Sequence, residues 1–158
     1  PAMSQLGSTA VRQGRVAGIN AAGGYATFPE VASPWITYLG DIQAAGTGLS
    51  KGLADYFGLS IVEGKAVGLT RARYYPGGKP ITAKIIADRE THRILGAQLV
   101  GGEELTGRIN WLTTAVLKGV TAEDFATSLE NAYCPPTSMV KDVVNIAAEA
   151  LMSKYKEL

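Results

Sequence analysis

The chain has 158 residues, with 15 Lys+Arg against 14 Asp+Glu, one His and one Cys; this length suits one compact domain and is too short for two nucleotide-binding folds of roughly 100 residues or more each. A net charge of +1 with scattered basic residues lacks the electrostatic footprint of a nucleic-acid binder, and the single thiol, Cys134, excludes an intrachain disulfide and a multi-cysteine metal site. The longest charge-free run, residues 16–29, is Gly-rich and closed by Pro29, and no signal peptide opens the chain, so the expectation is no membrane span and a reducing, cytoplasmic compartment.

The segment Ser8–Ala22 predicts a helix, with Ser8 or Thr9 able to cap its start and Gly23-Gly24 to stop it. Ala10, Gly14, Gly18 and Ala22 fall four apart, which leaves one face of nearly bare backbone, suited to helix packing or to a flat cofactor. Residues 25–35, with Pro29 and Pro34, read as a connector. Ile36–Ala45 reads as a strand with Gly40 a bulge, and Ser50–Phe57 as a short helix ended by Gly58. The period then changes to two. Val62–Tyr75, Ile81–Ala87 and Ile94–Val100 read as three strands joined by the turns 75–78 and 88–93, an antiparallel meander.

Three helices follow. Glu103–Lys118 carries its acids in the first turn and Lys118 in the last, the order the helix dipole prefers, and its apolar stripe is Leu105, Ile109, Leu112 and Val116. Thr121 and Asp124 suggest a capping box for a short helix through Phe125. After a loop over 131–136, Ser138–Tyr155 reads as the terminal helix. Its polar strip is Lys141, Asp142, Asn145, Glu149 and Ser153, and its wide apolar arc implies packing on two sides, one internal and one toward a partner. Strands and helices are largely segregated, so the expected class is α+β, an antiparallel sheet of about four or five strands with helices packed on it. Charged residues make up only 18% where about 25% is usual, and glycines number 19. On a small chain, missing charge points to surface covered by something else.

Three places have residues suited to chemistry. Gly46-Thr47-Gly48-Leu49-Ser50-Lys51-Gly52 follows a strand and opens a helix, but its third glycine is one place late for a dinucleotide fingerprint and a hairpin follows. It reads either as a capped turn or as the nucleotide- or coenzyme A-binding turn of a self-standing regulatory module. His92 lies in a polar hairpin turn and reads as a surface histidine; nothing brings it to Cys134 to make a nucleophile pair. Tyr133-Cys134-Pro135-Pro136-Thr137-Ser138 is the most pointed stretch. Its prolines stiffen the backbone and admit a cis bond, and the start of the following helix would favour a nearby anion, a thiolate included. It is either a rigid terminating loop or a Tyr/Cys pair positioned to line a site, and an autonomous thiol enzyme working through Cys134 is a further reading.

Four of these segments together resemble one family, the pyridine nucleotide-disulfide oxidoreductases. Leu6–Gly24 (LGSTAVRQGRVAGINAAGG) resembles the helix closing their FAD domain. Residues 45–49 resemble the "TGL" entry to the short helix of their C-terminal dimerisation domain, and Ile81–Glu104 (ITAKIIADRETHRILGAQLVGGEE) that domain's hairpin. Tyr133-Cys134-Pro135-Pro136 resembles the "YAPP" loop of the NADH oxidase and coenzyme A-disulfide reductase branch. The resemblance implies a tail helix and connector over residues 1–30 and a dimerisation domain over residues 31–158. It also implies a homodimer joined through the sheet and the terminal helix, with Tyr133 and Cys134 as catalytic candidates facing the partner's flavin. Ser8, Thr9 and Ala10 would approach FAD from a helix N-terminus.

The family's FAD and NAD fingerprints and its redox-active cysteine are absent from the sequence. FAD and NAD(P)H are therefore expected in a parent flavoprotein and not in this chain, which by itself would be catalytically inert. Cys134 stands where the family commonly has alanine, and the histidine of the glutathione-reductase branch is replaced by Pro135. Any proton donation would fall to Tyr133, or to Cys134 if its thiol is acidic. Pro1-Ala2-Met3 reads as a remnant of tag removal.

Overall fold

The period-two stretches fold as expected into consecutive antiparallel strands, and a hairpin ahead of them extends the sheet to five. The computed structural model describes residues 4–156, so the expected tag remnant Pro1-Ala2-Met3 lies outside them. In chain order the elements are α1 (Gly7–Ala21), β1 (Trp35–Leu39), β2 (Ile42–Gly48), α2 (Lys51–Tyr56), β3 (Ile61–Leu69), β4 (Pro80–Asp88), β5 (Ile94–Gly101), α3 (Leu105–Lys118), α4 (Ala122–Thr127) and α5 (Val143–Tyr155). The strand order is β1-β2-β5-β4-β3, antiparallel throughout.

One face of the sheet is covered by helices, with α3 lying over β2 and β5 and α5 over β3 and β4. Between them sits a core that includes Val62, Ile81, Ile85, Leu99, Leu112, Phe125, Val144 and Leu151. The helices come this close because the strands carry small residues. At Gly64 a Cβ would overlap the backbone carbonyl of Ala147 in α5. The other face of the sheet is uncovered. Across it run two rows of paired residues, Lys65-Lys84-Gln98-Gly46-Trp35 and Val67-Thr82-Val100-Ala44-Thr37. On this face Val67 is 67% and Val100 49% exposed, and all five residues of β1 are exposed. No helix among the described residues is long and apolar enough to cross a membrane.

Several boundaries differ from those expected. The stretch 36–45 is two strands, because Gly40, at φ +61°, and Asp41 make a two-residue hairpin turn and not a bulge. The third strand ends at Leu69, and residues 70–79 form a loop. Helix α1 starts without a side-chain cap, its N-cap position being Leu6; neither Ser8 nor Thr9 caps it. Helix α3 begins at Leu105, so Glu103 and Glu104 precede it and no acid lies in its first turn.

The terminal helix begins at Val143. Asp142 is its cap, accepting from Val144 N at 3.0 Å, and residues 138–142 stay extended or turned. Asp142 and Asn145, expected on a polar strip, are buried. Asn145 Nδ2 donates to the carbonyls of Phe125 and Leu129, at 2.7 and 2.8 Å, which joins α5 to α4. One side of the apolar arc packs on the sheet and the side bearing Asn145 on α4, while Val140, expected in the same arc, is exposed in the turn ahead of the helix. The Thr121–Asp124 capping box forms in full.

Candidate functional site

The loop that carries Tyr133 and Cys134 is fixed by its own backbone. Thr137 N and Ser138 N both donate to the Cys134 carbonyl, at 2.9 and 3.1 Å, closing a tight turn over the two prolines. Every described peptide bond is trans, so the admitted cis proline is not used. Ser138 Oγ donates to Ala132 O at 2.8 Å, and Asn131 bridges to Met139 O and Asp142 N. Eight residues separate Cys134 from the first residue of α5, so the thiol does not sit at a helix N-terminus. Cys134 is exposed.

A second loop meets the first. Ala72 N, in the 70–79 loop, donates to Pro135 O at 3.0 Å, and the hydroxyls of Tyr74 and Tyr133 lie 2.7 Å apart. Tyr133 is 43% exposed and Tyr74 74%. The Tyr74 hydrogen bond, followed by lesser burial and charge effects, raises the Tyr133 phenol above the ordinary tyrosine range. A phenol so held stays protonated at neutral pH, and of the two hydroxyl hydrogens of the pair one lies between the phenols and the other is left to a group outside. Sequence reasoning did not find Tyr74. It stands 59 positions from its partner, and no local pattern links the two.

Behind the loops, Arg108 is buried. Its Nε donates to Asp142 Oδ2 at 2.8 Å and its Nη1 to the Glu104 carbonyl at 2.6 Å. A cleft of about 360 Å³ opens beside this pair, lined by Arg108, Trp111, Asn131 and Ser138 among others. Glu104 itself has φ +61°, a left-handed backbone that costs a non-glycine residue about 1–2 kcal/mol. The Arg108 bond to its carbonyl helps to hold it there.

The flavin candidates lie elsewhere. Ser8 and Ala10 are exposed in the first turn of α1, while the Thr9 hydroxyl is buried and bonded to Ser4 Oγ at 2.8 Å. Among the described residues no hydrogen bond joins this turn to the Tyr133 loop. The first turn of α1 has neither a side-chain cap nor an acidic residue, and the face carrying Gly14 and Gly18 is open. This surface fits a flat group with an acceptor aimed at the helix end.

The glycine-rich turn is accounted for by packing. Gly48, at φ +64°, lies so close to β5 that a Cβ would overlap the Leu95 carbonyl, and a Cβ at Gly96 would overlap Leu49. The N–H groups of Gly48 and Leu49 are spent on Ala32 O and Leu95 O, at 2.7 and 2.9 Å. Helix α2 is six residues long and capped by Ser50. Packing against β5 and the cap of α2 thus account for the glycines of this turn without a bound nucleotide or coenzyme A. His92 is not a free surface residue. Its ring stacks on Tyr155 with centroids 3.8 Å apart, and its Nδ1 pairs with Glu123. This cluster ties the β4–β5 turn to α4 and α5.

The family model for the pyridine nucleotide-disulphide oxidoreductase dimerisation domain matches residues 33–143. The chain belongs to this family. It is 44% identical over 152 residues to an NADH oxidase of Methanocaldococcus jannaschii, covering 96% of this chain and 34% of that protein. It is 38% identical over 141 residues to a CoA-dependent NAD(P)H sulfur oxidoreductase of Pyrococcus furiosus, covering 89% of this chain and 31% of that protein. Among solved structures, an NAD-dependent persulfide reductase from A. fulgidus superposes with a TM-score of 0.91 at 36% identity, over 99% of this chain and 29% of that one. The chain thus spans about a third of the length of the relatives it matches.

Proposed function

We propose that this dimerisation domain serves a flavin-dependent NAD(P)H oxidoreductase of the cytoplasm, joining two subunits and supplying Tyr133 and Cys134 to the partner's redox site. The observation that carries this reading is the exposed, braced Tyr74–Tyr133 pair, 2.7 Å apart on two interlocked loops. It holds a protonated phenol at the domain surface, with the exposed Cys134 next to it in the chain. The acceptors that suit such a donor are sulfur or oxygen leaving as an anion, in line with the names of the relatives, an NADH oxidase and a sulfur oxidoreductase.

Residues 1–30 are read as the tail helix of an FAD domain with its connector, and residues 31–158 as the dimerisation domain. Helix α1 supports this division, since Thr9 is its one buried residue. When FAD is present, Ser8, Thr9 and Ala10 would hold it through the backbone of the first turn. FAD and NAD(P)H supply the hydride and electron transfer. The domain contributes binding, orientation and a proton at Tyr133 Oη, and is inactive by itself. The uncovered sheet face, with Val67 and Val100, is read as the surface that meets the second copy.

The test is a chimera in which this chain replaces the matching third of the M. jannaschii NADH oxidase. The expected outcome is a flavin-containing dimer that oxidises NADH, while the chain alone does not. A chimera that folds and retains flavin but shows no NADH oxidation would sink the reading.

A further inference from the structure

The acids Glu103 and Glu104 have the sequence position of helix-dipole partners, yet neither lies in the helix. At the β5–α3 corner the Glu103 side chain bonds to one loop of the site and the Glu104 backbone carbonyl to Arg108, which holds the other. Glu103 faces the 70–79 loop. The Thr70 hydroxyl donates to Glu103 Oε1 at 2.7 Å and accepts from Lys79 N at 2.9 Å, closing the base of the loop. Arg71 donates from Nε to Oε1 and from Nη2 to Oε2 of the same carboxylate, at 2.9 and 3.0 Å, and from Nη1 to Pro76 O at 3.2 Å. One guanidinium thus ties the near and far limbs of the loop to a single carboxylate, in the bidentate geometry that gives arginine pairs their strength and direction. Thr70 is fully buried.

Glu104 faces the other way. Its carbonyl accepts from Arg108, which holds Asp142 at the end of the Tyr133 loop. Both tyrosine-bearing segments are therefore tied to two successive residues, the second of which has a left-handed backbone.

We propose that Glu103 is a positioning residue for the phenol pair: through Arg71 and Thr70 it holds the 70–79 loop where Tyr74 meets Tyr133. Glu103 touches neither phenol and acts through the loop. Burial works against its ionisation, but the hydrogen bonds from Thr70 and Arg71 and the Arg71 charge outweigh it and hold its carboxyl below the usual range. The clamp is therefore charged at neutral pH. The inference rests on the reading of Tyr133 as a site residue.

The test is a spectrophotometric titration of the tyrosines in this chain. It is run in a Tyr155→Phe background, because burial pushes that phenol up to about 12 as well. Tyr74→Phe and Tyr133→Phe assign the high-titrating phenol of the pair. Glu103→Gln is expected to return it to the ordinary tyrosine range, as Tyr74→Phe does. In the chimera it is expected to lower turnover by up to roughly a hundredfold, the scale of an ångström of misplacement, and to add nothing in a Tyr74→Phe background. If Glu103→Gln does not fold, Arg71→Lys is read in the same way, since one ammonium does not span both carboxylate oxygens and Pro76 O. A folded variant with the phenol titration unchanged overturns the proposal. A shifted titration in Glu103→Gln together with full turnover in a Tyr133→Phe chimera upholds the clamp and overturns the site reading.

Discussion

Two phenols sharing one hydrogen bond at a domain surface are useful only if something outside needs the second hydrogen. Tyr133 Oη is bonded to Tyr74, and that bond favours the neutral phenol, so under the proposed reading the pair offers a proton and does not act as a general base. Replacing Tyr133 with Phe in the chimera is expected to lower turnover about a hundredfold with little change in the KM for NADH; steady-state NADH oxidation checks it, and unchanged turnover would remove Tyr133 from the reaction. At this scale the sequence is legible where a residue type is conspicuous in its own neighbourhood. Tyr133 stands out because two prolines follow it. Tyr74 and Glu103 do not, because the carboxylate, the guanidinium and the two hydroxyls come from three separate places in the chain, the 70–79 loop, the β5–α3 corner and the Tyr133 loop. His92 reads as exposed from its polar turn, yet Glu123 and Tyr155, both from distant helices, stack against it and pair with it.

Elements start and stop where backbone polar groups find partners. Thr121 and Asp124 are three apart and close a capping box on each other. The backbone bond from Thr121 N, then the Thr121 hydroxyl, hold the Asp124 carboxyl below the usual range against a smaller opposing effect of burial. A carboxylate with a lowered folded value stabilises the fold at pH above its unfolded value and loses that contribution as pH falls through the folded value. Asp124→Ala is therefore expected to lower Tm at neutral pH and to match the parent chain in strong acid, as thermal melts across the acid range would show. Gly64 tests the other kind of constraint. Ala at this position must displace the Ala147 carbonyl of α5, and a loss of about 1–3 kcal/mol in a denaturant titration is expected. An unchanged midpoint would mean that β3 and α5 separate at little cost. The capping box was legible because both partners lie within four residues. The start of α5 was not, because Asp142 caps it only after Arg108 has fixed the carboxylate from α3.

For the whole molecule, the question is what covers the sheet. The helices bury one face, and the other presents Val67, Val100 and the hairpin residues Leu39 and Ile42, at 49–67% exposure. Facing a second copy, this surface would pair with itself. Sedimentation equilibrium at micromolar concentration is expected to give a dimer. Val67→Glu with Val100→Glu is expected to weaken association by a hundredfold or more, since like charges would be buried against each other. A parent chain that sediments only as monomer would contradict this assignment of the face. Alternation of period two, caps and turn residues determined the class of fold and most of its elements, because those signals act between residues a few positions apart. Which face of α5 was internal, what Glu103 holds and where Tyr133 finds its hydrogen bond were decided only by tertiary structure, because each depends on groups that meet after the sheet has brought distant segments together.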